Sequence, residues 1–363
     1  MERIAVYIHI PFCLSKCAYC DFYSVKFEES KVRSFYKALI REIENLSKKL
    51  KAKTLYLGGG TPTVLPTPLL KDIIIKAKEN FQLPKGAELC VEANPETLDE
   101  EKLETLVEIG VNRLSIGVQS FNDELLRFLG RVHTADRARM TLRMLKKHGF
   151  NDFNIDLIFA IPGQSLNDWR DTLKEALDYQ PTHISCYSLT IEPGTMLWKD
   201  LAKGKFSLMD EETEAQMFEE AHHILTTAGY IHYEISNYAL PGYECGHNLC
   251  YWRGEPYLGI GPAAVSYIPP VRYQNPRLTN YIRNKTPKIL ETVDEKEKLK
   301  ERIWLGLRFK EGISIEGLDL SPTLEEFIEA GLVEKEGDRI RLTLKGMLVF
   351  NTIAYEFWKK IVL

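Results

Sequence analysis

Three cysteines fall within eight positions near the start of the chain: Cys13, Cys17 and Cys20, spaced C-x3-C-x2-C. Iron–sulfur clusters are held by cysteine thiolates, normally four. Three thiolates on one tight loop can ligate three irons of a cubane and leave the fourth iron open to a chelating amino and carboxylate pair. The alternative is a zinc site with His9 or Asp21 as fourth ligand. Zinc sites more often pair two C-x2-C elements, and no second pair exists. The spacing therefore favours a cluster, with zinc still open. The cysteine count of seven is odd. Crowding of three of them, without a secretion signal, argues for metal chemistry over a disulfide framework. Cys90 and Cys186 fall inside apolar segments and read as core.

More polar residues sit in or just past short apolar runs. Gly58, Gly59, Gly60 and Thr61 follow one run, and Glu92 and Asn94 end another. Gln119 closes a third, Asp156 lies inside a fourth, and Tyr187 and Thr190 end a fifth. Glycines let a backbone approach a ligand closely. No Gly-Lys-Ser/Thr follows the triplet and no G-x-G-x-x-G spacing occurs, which argues against a phosphate loop or a dinucleotide site.

The elements that must carry these residues alternate. Strand candidates are 4–9, 54–57, 88–92, 113–117, 154–158 and 183–188. Between them lie amphipathic stretches, 31–50, 99–109, 134–148 and 166–178, the first with Val32, Phe35, Leu39, Ile43, Leu46 and Leu50 on one stripe. Thr134 and Ser165 are placed as N-caps, and Gly149 follows a helix end. Alternating strands and helices predict an α/β fold with a parallel sheet. In parallel barrels the functional site lies at the carboxyl ends of the strands, so six strand ends would share one mouth. A helix is expected over 211–229, an extended segment over 231–236 and a long ordered loop over 241–267. Beyond about 285 come a charged helix, 294–309, and a hairpin through Gly337 and Asp338. This reads as a winged-helix-like unit acting as a structural or covering cap. The expected domains are 1–285 and 286–363.

The chain has 363 residues, 44% hydrophobic, with net charge −4. A chain of ~300 residues buries about 75% of its unfolded surface, so no metal is needed merely to fold. The charge balance carries no nucleic-acid footprint. Lys48, Lys49, Lys51 and Lys53 read as a solvated helix end. No signal-peptide pattern and no run of ~20 apolar residues occurs, and a cytoplasmic location is expected.

C-x3-C-x2-C with Tyr19 just before the last cysteine resembles the signature of the radical S-adenosylmethionine (SAM) superfamily. The stretches YIHIPFC, LYLGGGTPT, VEANPE, RLSIGVQSF, LGRVH and NIDLIFAIPG look like its coproporphyrinogen dehydrogenase-like branch, over nearly the whole chain. The resemblance implies a partial parallel (β/α)6 barrel with a small C-terminal helical domain. It also implies a [4Fe–4S] cluster on Cys13, Cys17 and Cys20, and a SAM site lined by Tyr7, Tyr19, Gly59, Gly60, Thr61, Glu92, Gln119, Arg131 and Asp156. The residue types suit this: Glu92 and Asp156 accept from ribose hydroxyls or an ammonium, and Arg131 clamps a carboxylate.

Two subgroups of the branch look alike: the oxygen-independent coproporphyrinogen III oxidases and the haem chaperones. The chain enters its first strand at residue 4, without the extension of the oxidases. Phe22 stands where the oxidases carry a further cysteine. The run His247-Asn248-Leu249-Cys250-Tyr251-Trp252 matches the H-N-x-x-Y-W motif of the haem chaperones. This similarity implies haem as cargo, with His247 a candidate iron ligand and Tyr251 and Trp252 as flat apolar surface. It further implies a flavodoxin- or ferredoxin-like electron donor or a bacterioferritin-type partner, and a haem-acceptor protein through which any membrane contact would come. Coproporphyrinogen III oxidation and a zinc-stabilised binding module are the alternatives.

Overall fold

The computed structural model describes residues 3–47 and 50–362, so Lys48 and Lys49 of the lysine run lie outside the described residues. Six strands rich in β-branched and aromatic residues form the centre: β1 (Arg3–Ile10), β2 (Lys51–Gly59), β3 (Leu89–Ala93), β4 (Arg113–Gln119), β5 (Phe153–Phe159) and β6 (His183–Ser188). They lie side by side in chain order, each parallel to the next. Their register aligns Tyr7 with Tyr56 and Ile155 with Ile184.

Successive side chains of a strand point to opposite faces, and here the two faces differ in kind. Leu89 and Val91, Leu114 and Ile116, Ile155 and Leu157, and Ile184 belong to the main hydrophobic core. The residues between them, Cys90 and Glu92, Ser115 and Gly117, Asn154 and Asp156, His183 and Ser185, line a cavity. Helices cover the apolar face. Glu29–Leu46 buries Val32, Phe35, Leu39 and Ile43. It ends four residues earlier than its apolar stripe predicts, because Lys51 already pairs in β2 beside Arg3. Thr134 and Ser165 cap their helices as expected, Ser165 in a capping box with Asp168. A further helix, Thr67–Asn80, carries the run Ile73-Ile74-Ile75, whose β-branched residues give no helical signal of their own.

The expected loop over 241–267 is corrected by the structure. It contains a helix, Gly246–Trp252, and two strands. The segment expected to be extended at 231–236 is a hairpin of β7 (Ile231–Glu234) and β8 (Asn237–Ala239). Then β9 (Tyr257–Ile260) pairs parallel with β1, making a seventh parallel strand. Glycine-rich composition hides it: a Cβ on Gly259 would lie 2.1 Å from the Val265 carbonyl oxygen, so the glycine marks close backbone approach and not a turn. Three antiparallel strands follow: β10 (Val265–Ile268), β11 (Val271–Gln274) and β12 (Lys288–Thr292). The sheet runs β12-β11-β10-β9-β1-β2-β3-β4-β5-β6-β8-β7, and among the described residues no pairing joins its two edges.

The boundary expected at 285 falls before β12, which still belongs to the large sheet. A second core follows, including Ile303, Leu307, Leu324, Ile340, Ile353 and Phe357. It is built from helices Glu295–Gly306, Thr323–Glu329 and Phe350–Val362 with a three-stranded sheet of 313–314, 333–336 and 339–342. Helix, strand, helix and two-stranded wing follow the winged-helix-like order read from the sequence. No described helix is long and apolar enough to cross a membrane.

Candidate functional site

The three cysteines ride a loop fixed at both ends. Phe12–Cys13 pairs with Val25–Lys26, Val25 N–H donates to Pro11 O at 2.7 Å, and Phe27 N–H donates to Cys13 O at 2.9 Å. In the middle, Ala18 N–H donates to Leu129 O at 2.9 Å. His9 anchors the far side. Its Nε2 lies 3.0 Å from the Tyr23 carbonyl, which only accepts, so Nε2 carries the proton and Nδ1 accepts from the Tyr7 hydroxyl at 3.1 Å. Burial lowers the His9 pKa, which keeps the ring neutral.

The loop closes one side of a cavity of about 470 Å³ at the strand ends. Cys13, Cys17, Cys20, Tyr19, Gly59, Gly60, Thr61, Glu92, Gln119, Arg131 and Asp156 all line it. Of the residues expected there, Tyr7 is not on the wall; it lies behind it, against His9 and Tyr56.

Glu92 accepts from the Tyr56 hydroxyl at 2.9 Å and from Gly59 N–H at 3.0 Å. Burial pushes its pKa up to about 7, the two donors hold it back, and nearby Asp156 adds to the rise. Asp156 accepts from Asn154 Nδ2 at 2.8 Å and the Ser115 hydroxyl at 3.1 Å; burial raises its pKa and these donors oppose the rise. Arg131 donates to Asn94 Oδ1 at 2.6 Å, Gly117 O at 2.8 Å and Cys17 Sγ at 3.4 Å. Its Nε is buried without a hydrogen-bond partner.

The glycines serve the protein's own contacts. A Cβ on Gly60 would sit 2.6 Å from Phe12 O, and one on Gly59 would sit 2.4 Å from the His9 ring. The triplet thus lets the cysteine loop close onto β2, a role distinct from leaving room for a ligand alone.

Zinc fits poorly. Thiolates around one tetrahedral zinc, with Zn–S ≈ 2.3 Å, lie roughly 3.8 Å apart. Among the described residues the one His/Cys/Asp/Glu group whose ligating atoms all lie within 4.8 Å is Glu100, Glu104 and His148, on the surface. The three cysteine thiols do not all fall within that distance of one another, and both His9 nitrogens are engaged. Acceptors from Glu92 and Asp156 and the free Arg131 Nε suit a zwitterionic nucleoside such as SAM.

His247 is not brought to this cavity. It is 1% exposed, with Thr54 Oγ1 2.8 Å from Nδ1 and the Tyr251 hydroxyl 3.0 Å from Nε2. Burial lowers its pKa to about 3, so the ring is neutral, and neither nitrogen is open to iron in this arrangement. Its helix is seated by Glu88, which accepts from Gly246 and His247 N–H at 2.8 and 2.7 Å. Negative charge at a helix N-terminus is favourable. The neighbouring Asn248 and Cys245 do reach the cavity.

Asn94, expected at a strand end, also lines the wall; Ser115, Asn154, His183 and Ser185 line it too and are missing from the residues expected there. The signal for them is in the sequence: polar residues recur at every second position of strands whose other positions are apolar.

A parallel sheet with a three-cysteine loop after its first strand and carboxylates at later strand ends defines a radical SAM protein. The radical SAM superfamily profile matches residues 7–176, and the HemN C-terminal domain profile matches residues 293–349. The solved coproporphyrinogen III oxidase (HemN) of Escherichia coli, a radical SAM enzyme, superposes with a TM-score of 0.83 over 98% of this chain and 90% of that one, at 23% identity. That likeness shows the fold. More similar in sequence is the heme chaperone HemW of Lactococcus lactis, 35% identical over 97% of both chains. That of Bacillus subtilis is 36% identical over 97% of this chain and 98% of its own, and that of Escherichia coli is 34% identical over 98% of each. The chain belongs to the heme chaperone HemW family.

Proposed function

We propose that the chain binds haem and passes it to acceptor proteins, while carrying a [4Fe–4S] cluster and SAM in the strand-end cavity. The observation that carries this reading is similarity to heme chaperones over essentially the full length of both partners, against fold-level likeness to the oxidase. Cys13, Cys17 and Cys20 hold the cluster, and Arg131 steadies Cys17 while offering Nε to a carboxylate. Gly59, Gly60 and Thr61 fix the floor, and Tyr19 and Gln119 close the walls. Glu92 and Asp156 accept from the ligand's hydroxyls or ammonium. A bound cluster supplies single electrons there. These would come from a flavodoxin- or ferredoxin-like donor or a bacterioferritin-type partner in the cytoplasm. The division between the two units is best placed after Thr292, with the C-terminal unit as a cover.

Phe22, at the position of the oxidases' extra cysteine, is 68% exposed at the cavity. A decarboxylase must hold a propionate within about 3–3.5 Å of the reacting atom, which an exposed ring at the rim does not help. The experiment is an anaerobic comparison. Purified protein should take up about four irons per chain, bind haem, and leave coproporphyrinogen III unchanged with SAM and reductant. Cluster-dependent formation of protoporphyrinogen IX would replace the chaperone with the oxidase.

A further inference from the structure

We infer that haem binds in a second, aromatic cavity between the large sheet and the C-terminal unit, with the Tyr257 hydroxyl as ligand to its iron. The inference rests on the haem-chaperone reading and adds to it a place and a ligand. The cavity holds about 470 Å³, within the range of small-molecule and cofactor sites. Five of its lining residues are large aromatics: Tyr251, Tyr257, Tyr267, Trp304 and Trp358. Flat rings with a polar edge suit a porphyrin face.

The cavity's cations are already paired. Arg272 bonds Glu301 at 2.7 Å and lies over Tyr267, and Lys300 bonds Glu297 and lies over Trp358. What the cavity offers a ligand is therefore ring surface. The strand-end cavity, by contrast, presents Glu92, Asp156 and Arg131, which suit a small charged ligand.

Tyrosine is one of the side chains that hold haem iron. Tyr257 meets Tyr251 edge-on at 4.6 Å between ring centroids, and Arg272 lies beside its hydroxyl. Burial raises the Tyr257 pKa and the Arg272 guanidinium opposes that rise, favouring an oxygen that carries negative charge; binding to ferric iron would release the hydroxyl proton to solvent. This arrangement also gives His247 a role. Its Nε2 holds the Tyr251 hydroxyl at 3.0 Å, so His247 is a positioning residue that sets one wall, and the H-N-x-x-Y-W run reaches haem through its tyrosine.

The test titrates ferric haem into the anaerobic full-length protein, following absorbance, in wild type, Tyr257→Phe and Leu305→Trp. Leu305 lines the cavity, and the larger indole fills it. Tyr257→Phe should lose the phenolate-to-iron absorption band and bind haem about tenfold more weakly; Leu305→Trp should weaken binding at least as much. Both should keep the cluster chromophore and SAM affinity, which separates cavity effects from misfolding. An unchanged spectrum in Tyr257→Phe overturns the ligand, and unchanged affinity in Leu305→Trp overturns the cavity. Wild-type protein that takes up no haem sinks the chaperone reading, and this inference with it. Haem bound identically by all three leaves the chaperone standing and removes this inference alone.

Discussion

The strand-end cavity and the aromatic cavity are similar in volume, about 470 Å³ each, but they are assembled differently. The first is walled by short motifs at successive strand ends, each a few residues long. The second gathers Tyr251, Tyr257, Tyr267, Trp304 and Trp358 from elements more than 100 positions apart. A column of rings links them: Tyr56, bonded to Glu92, stacks on His247 at 5.0 Å, which meets Tyr251 at 5.1 Å, which meets Tyr257. A site built by backbone topology is thus joined to one built by packing of a second core. Damage to either should be separable from damage to the other.

The sharpest separation should come from Gly60→Val. Its Cβ would collide with the Phe12 and Ile10 carbonyl oxygens, which are backbone and cannot swing aside. The cysteine loop should fail to close, and iron analysis after anaerobic reconstitution should find no intact cluster. Full iron content with only SAM affinity reduced would return Gly60 to a purely ligand-facing role.

Phe357→Ala attacks the other side. Phe357 is fully buried against Phe327 in the second core, next to Trp358. Removing a buried Phe costs about 3–5 kcal/mol. Thermal unfolding should lose stability in the C-terminal unit while cluster absorbance survives. Equal loss of the cluster would show that the two regions fold as one unit.

Glu92 gives a pH signature confined to the strand-end cavity. Its folded pKa is raised from 4.5 to about 7, so between those values the folded chain holds a proton that the unfolded chain has released. Its contribution to stability is therefore greatest below about pH 4.5 and is lost as pH rises to about 7, by roughly 3 kcal/mol. Denaturant unfolding of ligand-free protein should show this fall, and Glu92→Gln should flatten it. A slope identical in the variant would mean that Glu92 is ionised throughout.

Asp156→Ala should have the smallest effect. It removes an acceptor bonded to Asn154 and Ser115, and SAM affinity should fall by about 1.5–3 kcal/mol with cluster and haem binding retained. Calorimetric titration with SAM checks this; unchanged affinity would move the ligand away from β5.

The same contrast explains what the sequence made legible. The cysteine spacing, the glycine triplet and the strand-end carboxylates are local patterns, and the fold gathers the three cysteines, Gly59, Gly60, Glu92 and Asp156 around one cavity. Asn154 and Ser185 are less legible because their signal is a two-residue alternation inside strands, visible only when polar positions are counted as a face. The strand Tyr257–Ile260 was hidden by glycines that serve close packing. His247 belongs to a motif visible in the sequence, but its burial behind Thr54 and Tyr251 depends on a helix seated by Glu88, more than 150 positions away. No local pattern encodes that contact.

The most direct test of the central claim is delivery. Haem-loaded protein with its cluster intact is mixed with a haem-free b-type cytochrome, and the haem absorbance of each is followed over time. Haem should leave this chain and appear in the acceptor, with no porphyrin product formed when coproporphyrinogen III, SAM and reductant are present. Haem that stays bound or never binds, alongside steady conversion of coproporphyrinogen III, would contradict the account.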